Sequence, residues 1–146
     1  YMTTGITMTE QNSTSKPSDK PYNCTKIVLG FNDRECLYNR INLRVDKMLE
    51  AGLLKEADSF FSSSCSNTAV QAIGYKELKP YFTGECSLDE AVESLKRATR
   101  RYAKRQITWF KRDETAKWFY VDEYNSADGL FEAVKAFLIT EGFELI

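Results

Sequence analysis

The sequence predicts an α/β fold that is mostly helical and has few strands. Two short segments rich in β-branched and aromatic residues lie far apart, and apolar residues at helical spacing fill most of the chain between and after them. The 146 residues, 42% of them hydrophobic, are enough to enclose a core. No apolar run approaches the roughly 18 residues of a membrane span, so we expect a cytoplasmic chain without membrane contact.

The first predicted strand leads directly into the first long helix. Residues 25–31 (TKIVLGF) indicate a buried strand, and Asn32 followed by Glu35 has the spacing of a capping box, with Asn32 as the N-cap. The helix should run to about Ala51, because Gly52 can adopt the left-handed conformation that ends helices. Its core stripe is predicted to comprise Leu37, Ile41, Val45 and Met48.

Two shorter helices are predicted next. The first covers about 53–62 and is followed by a serine-rich break, and the second follows the segment QAIGYKEL and ends near Gly84. The apolar positions of the first of these helices predict that it buries Leu54, Ala57, Phe60 and Phe61.

The longest helix and a second strand are predicted in the C-terminal part of the sequence. Ser87 and Glu90 form another capping box, which begins a helix over roughly 87–112. Residues 117–122 (KWFYVD) indicate a strand, and Ser126 is the predicted cap of a final helix. One face of that final helix carries Leu130, Phe131, Val134, Phe137 and Leu138.

The composition excludes several kinds of site. The chain has no histidine, so it cannot hold a Ser-His-Asp or Cys-His nucleophile or a histidine-bearing metal centre. The cysteines lie too far apart for the C-x₂₋₄-C pairs of thiolate metal sites, and we expect reduced, mostly packed thiols. The four are Cys24, Cys36, Cys65 and Cys86.

A net charge of −1 conceals a strong charge asymmetry. Residues 94–112 carry eight Lys or Arg and no acid, whereas residues 113–146 carry eight acids and two bases. Cations interleaved with Tyr102, Trp109 and Phe110 are what phosphate tracking with base contact requires. A solvated basic face is the equally weighted alternative.

Two further patterns suggest a site. Thr99 and Gln106 fall within the apolar stripe of the longest helix, where a polar side chain needs a partner; a structural, hydrogen-bonded Gln is the alternative. Arg40, Arg44 and Lys47 form a basic stripe that suits either a phosphate or diphosphate clamp or simple solvated charges. The apolar stripe itself is Leu88, Val92, Leu95, Thr99, Tyr102, Gln106 and Trp109.

The ordered segments QAIGYKEL, YFTGE, SLDEA and TRRYAKRQITWFKR resemble the C-terminal half of the tRNA dimethylallyltransferases, also called tRNA isopentenyltransferases. The resemblance implies a P-loop-NTPase-like fold, of which this chain is a part, and transfer of a dimethylallyl group from dimethylallyl diphosphate. The acceptor would be the exocyclic N6 of the adenine 3′ to the anticodon, flipped out of its stack in a tRNA anticodon stem-loop. The resemblance also implies Mg²⁺, without ligands in this chain, and a monomeric full enzyme.

The resemblance assigns roles to individual residues. Arg44, in RINLRV, would contact the diphosphate, and Lys76 stands where the family often has Arg, so a charge contact is kept there but not a bidentate one. Residues 1–22 would be a short amphipathic segment and linker, and 23–146 the C-terminal part of the transferase core. The implied tRNA-contacting residues are Gln71, Ala72, Ile73, Gly74, Tyr75, Lys76, Lys104, Arg105, Gln106, Ile107, Thr108, Trp109, Phe110 and Lys111.

Two family motifs have no counterpart in the sequence. There is no G-x-x-x-x-G-K-[ST] phosphate loop and no D-S-x-Q-type segment with the general-base Asp. We therefore expect a C-terminal part of the enzyme that is inactive by itself. Because no zinc-finger extension follows the last predicted helix, we also expect a bacterial-type member. The alternatives are a stand-alone RNA-binding module without chemistry and a helical protein-interaction domain whose basic helix meets its own acidic C-terminus.

Overall fold

The computed structural model describes residues 5–14, 22, 24–62 and 72–144, and it confirms a mostly helical α/β architecture. Two parallel strands pair in register from Lys26↔Ala116 to Gly30↔Tyr120. The elements in chain order are α1 (Met8–Thr14), β1 (Lys26–Gly30), α2 (Arg34–Glu50), α3 (Leu53–Ser62), α4 (Tyr75–Phe82), α5 (Leu88–Phe110), β2 (Ala116–Tyr120), a 3₁₀ turn (Val121–Glu123) and α6 (Ala127–Thr140).

The start of α2 differs from the prediction by one residue. Asp33, and not Asn32, is the N-cap, and its carboxylate accepts a hydrogen bond from the Glu35 N–H at 2.9 Å. The Asn32 amide group instead donates to Glu123, which removes it from the capping role. The Asp122 carboxylate accepts hydrogen bonds from the N–H groups of Asp33 and Asn32, at 2.7 and 2.9 Å. The far end of α2 is as predicted, with Gly52 at a φ of 105°.

The core lies where α2, α3, α4 and α5 meet. The prediction for α3 is right at Ala57, which is fully buried, but it misses Leu53, and Leu54, Phe60 and Phe61 are half-buried. Met48 is also misplaced in the prediction, because it lies at the edge of the α2 stripe and is 37% exposed. The buried cluster consists of Val45, Leu53, Ala57, Leu78, Ala91 and Leu95.

The strand β1 is less buried than its sequence suggests. Only Gly30 is fully buried in it, and Leu29 is 56% exposed because it lines an open groove between β1 and α5. On β2, Phe119 is buried and packs edge-on against Phe137 of α6, with ring centroids 5.8 Å apart. The α6 face is as predicted except at Phe131, which is 64% exposed.

Helix α5 begins as predicted but departs from its predicted stripe near its C-terminal end. The Ser87 hydroxyl accepts from the Glu90 N–H at 3.3 Å, and the Glu90 carboxylate accepts from the Ser87 N–H at 2.8 Å. Ala91 and Leu95 are buried, whereas Gln106 is exposed and Trp109 is 65% exposed. The stripe fails because, beyond Thr99, Gln106 lines a cavity between α2 and α5, and Trp109 lies on a different, open face of α5.

Two points of the composition can be compared with the structure. Within the ranges given above, Cys24, Cys36 and Cys86 are free thiols; the expectation of packed thiols is wrong for the first two, which are exposed at element ends. Cys65 lies outside the described residues. No helix in the described ranges combines the length and the hydropathy that crossing a membrane requires.

Candidate functional site

A cavity of about 660 Å³ brings together three of the segments singled out in the sequence. Arg44 reaches it from α2, Ile73 and Gly74 from the turn before α4, and Gln106 from α5. The remaining wall is largely apolar and includes Ile41 and other side chains of the α2 and α5 faces. One cation, one amide and a backbone turn therefore border an apolar space.

The turn at 72–75 is held in place by α3 and α4. Gly74 is buried and has a φ of 115°, a conformation that other residues rarely adopt, and its N–H donates to the Glu77 carboxylate at 3.0 Å. The Tyr75 ring stacks on Phe60 with centroids 4.4 Å apart and an interplanar angle of 11°. The Tyr75 hydroxyl donates to Glu56 of α3. These contacts fix the backbone that faces the cavity.

The other predicted residues of this segment are placed differently. Ala72 is exposed, and Lys76 is exposed on α4 and does not line the cavity. Gln71 lies outside the described residues. Glu77 was not among the predicted site residues, although its position three residues after Gly74 is the spacing of a helix cap and could have indicated its role.

Arg44 lies between the cavity and a neighbouring groove of about 520 Å³. Arg40 and Lys47 line the same groove, which confirms that the three cations share one face of α2. The Arg40 guanidinium lies 5.8 Å from the centroid of the Phe31 ring. In the part of the chain that the structure describes, none of the three forms an ion pair, so each remains available to an anion.

The basic run of α5 is divided between two faces. Lys96 pairs with Asp46 of α2 at 2.6 Å. Arg100 donates to the Asn42 side-chain oxygen of α2 at 2.7 Å and to Glu93 at 2.9 Å. Two of the eight cations are therefore used to hold α5 against α2.

The opposite face of α5 forms a basic groove of about 500 Å³. Among the described residues no ion pair involves its cations, and the Thr108 hydroxyl donates to the Lys104 carbonyl at 2.9 Å. Arg101 and Arg112 were not in the predicted set, but their spacing from Arg105 and Trp109 could have indicated them. The basic groove is lined by Arg101, Lys104, Arg105, Thr108, Trp109 and Arg112.

The structure thus separates the predicted 104–111 segment into three surfaces. Lys104, Arg105, Thr108 and Trp109 line the basic groove, and Gln106 lines the cavity. Ile107 and Phe110 face the groove beside β1, together with Gln106, and Lys111 is exposed at the end of α5.

The described residues do not fit a magnesium site. A hard cation of this kind takes several oxygen ligands from carboxylates and carbonyls. No group of three or more Cys, Asp or Glu side chains in the described ranges is placed to hold a metal ion. We therefore derive no step through Mg²⁺ from this chain.

Comparison with known proteins shows that the chain is similar to part of several longer proteins named tRNA dimethylallyltransferase. A family model described as IPP transferase matches residues 1–113. The tRNA dimethylallyltransferase of Shouchella clausii is 49% identical over 118 residues, which are 80% of this chain and 38% of that protein. The enzyme of the same name from Lachnoclostridium phytofermentans is 45% identical over 144 residues, or 97% of this chain and 45% of that protein.

A solved structure supports the same assignment. The full-length tRNA isopentenylpyrophosphate transferase from Bacillus halodurans is similar with a TM-score of 0.74 at 38% identity, covering 89% of this chain and 42% of that one. The tRNA delta(2)-isopentenylpyrophosphate transferase from Staphylococcus epidermidis is similar with a TM-score of 0.68 at 39% identity, covering 80% of this chain and 37% of that one. The fold of these two solved relatives is P-loop-NTPase-like, as the sequence resemblance implied. The chain spans less than half the length of the relatives cited here. On sequence and on fold, the chain belongs to the IPP transferase family.

Proposed function

We propose that the chain is part of a tRNA dimethylallyltransferase, in which it supplies a diphosphate contact and a tRNA-contacting surface. The observation that carries the proposal is the meeting of Arg44, the Gly74 turn and Gln106 at one cavity, with the basic groove on the opposite face of α5. The names of the relatives support transfer of a dimethylallyl group to tRNA.

In this reaction the bond between the dimethylallyl C1 and the diphosphate oxygen breaks, and C1 forms a bond to N6 of the adenine 3′ to the anticodon. The diphosphate leaves with the electron pair, and N6 loses a proton to a base; we assign that role to no described residue. We propose that the Arg44 guanidinium binds the diphosphate and balances the charge that develops on it as it leaves. Mg²⁺, a monomeric state and a cytoplasmic location remain predictions from the family resemblance.

The tRNA contacts are proposed for two places. The cations of the basic groove would bind phosphates of the anticodon stem-loop, because they have no ion-pair partner within the described ranges. The turn at Ile73 and Gly74, together with Gln106, would border the space into which the target adenine is flipped.

Replacing Arg44 tests the diphosphate role. In the complete transferase that contains this chain, Arg44→Ala should lower kcat/KM for dimethylallyl diphosphate by about 10- to 100-fold, the effect of losing a charge-assisted hydrogen bond. The Kd for tRNA, measured by filter binding, should change by less than about 2-fold, since one exposed charge contributes little there. Lys55→Ala, which removes an exposed cation of α3, is the matched control. Equal losses in prenyl-diphosphate use and tRNA binding would contradict the assignment.

A second candidate function is a stand-alone RNA-binding module, which the basic groove favours. Because the sequence has no phosphate-loop motif, we expect the 146-residue chain alone to bind tRNA without prenylating it. Turnover by this chain in a prenyl-transfer assay would contradict that expectation. Prenylation of tRNA by the complete protein would exclude the alternative that the protein is an RNA-binding module without catalytic activity.

A further inference from the structure

We infer that Trp109 is a stacking platform for an unpaired nucleobase of RNA bound along the basic groove. The inference rests on the proposed function and names the part of the RNA that this ring contacts. Trp109 is 65% exposed, an unusually open position for the largest apolar side chain. Every nucleobase has a flat π-face, and aromatic side chains beside cations are the recurring means of holding single-stranded nucleic acid.

The position of Trp109 on α5 places cations on both sides of the ring. Arg101 and Arg105 precede it by eight and four residues, and Arg112 follows by three, so all four lie on one helical face. These residues line the same groove of about 500 Å³. Phosphates on either side of a stacked base would therefore meet a guanidinium along the helix axis.

The indole ring is oriented before any ligand arrives. Trp109 meets Phe110 edge-on, with ring centroids 4.9 Å apart and an interplanar angle of 86°. Phe110 itself lines the groove beside β1 and is only 37% exposed. A ring that is already fixed loses little conformational freedom when a base stacks on it, which favours binding.

The second tryptophan has different surroundings. Trp118 is half-buried on β2, its ring is stacked near Tyr120 with centroids 6.2 Å apart, and it lies against Gly30 of β1. It is absent from the basic groove. A spectroscopic probe can therefore distinguish the two rings by replacing only one of them.

Charge and shape together favour RNA over an acidic peptide as the occupant. Arg101, Lys104, Arg105 and Arg112 would attract either ligand, since none has an ion-pair partner in the ranges that the structure describes. Only a nucleic acid also offers a flat ring at each charged unit, which the exposed indole face can cover.

The test uses the 146-residue chain with Trp118→Phe, so that Trp109 is the only tryptophan. Its emission should fall saturably on titration with single-stranded oligoadenylate. An abasic oligonucleotide of equal length should bind without quenching, because it offers phosphates but no base. Trp109→Ala should weaken oligoadenylate binding about tenfold and abasic binding by less than about twofold. Trp109→Phe should restore part of the loss.

The test has one matched control variant and three possible results that would contradict the inference. Phe131→Ala removes an equally exposed ring from α6 and should leave RNA affinity unchanged. Salt-sensitive RNA binding without quenching of Trp109 would overturn the stacking role and leave the proposed function intact. No salt-sensitive binding to oligoadenylate or to tRNA would overturn both. Binding to polyglutamate but to neither RNA would also overturn both and favour an acidic protein partner.

Discussion

Asp113 has a strongly perturbed carboxyl group. Its carboxylate accepts hydrogen bonds from the Lys26 ammonium at 2.5 Å, the Thr115 hydroxyl at 2.6 Å and the Thr115 N–H at 3.1 Å. The Lys26 hydrogen bond first, and then those from Thr115, lower the pKa of Asp113 to about 2. The contact joins the residues after α5 to the start of β1.

The low pKa of Asp113 predicts an acid-sensitive contribution to stability. Because the folded-state pKa lies below the ordinary value of 3.8, the contribution is present above about pH 4 and is lost as pH falls toward 2. Urea denaturation between pH 2.5 and 6 should show the parent chain to be more stable than Asp113→Asn at pH 6, with the difference narrowing at acid pH. In a chain that also carries Lys26→Met, the loss of stability caused by Asp113→Asn at pH 6 should be smaller, because the main hydrogen-bond donor to the carboxylate is gone. A difference independent of pH would contradict the role of the charged carboxylate.

Several individual residues could be identified from the sequence alone, and others could not. Ser87, Glu90, Ser126 and Gly52 have local roles, and their spacing to neighbours in the chain determines those roles. The N-cap of α2 was misassigned to Asn32 because its side chain is bound by Glu123, which is distant in the sequence. Long-range partners of this kind leave no mark in local spacing.

At the scale of elements, α5 has two functions on opposite faces. One face is part of the core through Ala91 and Leu95 in the N-terminal half, and Lys96 and Arg100 connect the helix to α2. The other face, in the C-terminal half, carries the basic groove. Periodicity predicted the helix and its boundaries well, but it could not predict where α2 stops covering α5, since that depends on the packing of a second helix.

This division predicts opposite effects for adjacent arginines. Arg100→Ala should lower the free energy of unfolding by about 1–2 kcal/mol, because it removes charged hydrogen bonds to Asn42 and Glu93. Arg101→Ala should change stability by less than about 0.5 kcal/mol but weaken RNA binding. Thermal or urea denaturation together with RNA titration measures both. If both variants lost RNA affinity equally with unchanged stability, α5 would not have two distinct faces.

The candidate site was predicted in its parts but not in its arrangement. Arg44, the Gly74 turn and Gln106 were each singled out from the sequence, and the structure brings them to one cavity. The separation of Ile107 and Phe110 from the basic groove could not be inferred from a contiguous motif. The side chains of one helical segment point in several directions. Which of these side chains face β1 depends on where β1 lies, and a contiguous motif does not contain that information.

For the whole molecule, the net charge of −1 is a poor guide to its surface. Four cations line the basic groove without an ion-pair partner in the described ranges, and the acids that offset them are concentrated after residue 112. Such a separation produces a local positive potential that net charge does not report. The total charge alone therefore does not exclude nucleic acid as a ligand.

The separated charges predict a steep dependence of RNA affinity on salt. Each neutralised phosphate of a single strand contributes about −0.7 to the slope of log K against log salt. Lys104→Ala combined with Arg105→Ala should therefore reduce the magnitude of the slope by about 1.4, as measured by fluorescence anisotropy from 50 to about 300 mM KCl. Lys55→Ala with Lys79→Ala removes the same charge from α3 and α4 and is the control. An unaltered slope would indicate that this face does not meet phosphate.

The carboxylate of Asp122 holds the start of α2 in place from a position outside the region that the family model matches. Hydrogen bonds from the Asp33 and Asn32 N–H groups lower the pKa of Asp122 and anchor the first turn of the helix that carries Arg44. The family match ends at residue 113, yet β2 and Asp122 lie beyond it. The region matched by the family model and the set of residues that hold α2 in place thus have different borders. A protein trimmed to residues 1–113 would lose β2, which pairs with β1, and the Asp122 anchor of the helix that carries Arg44.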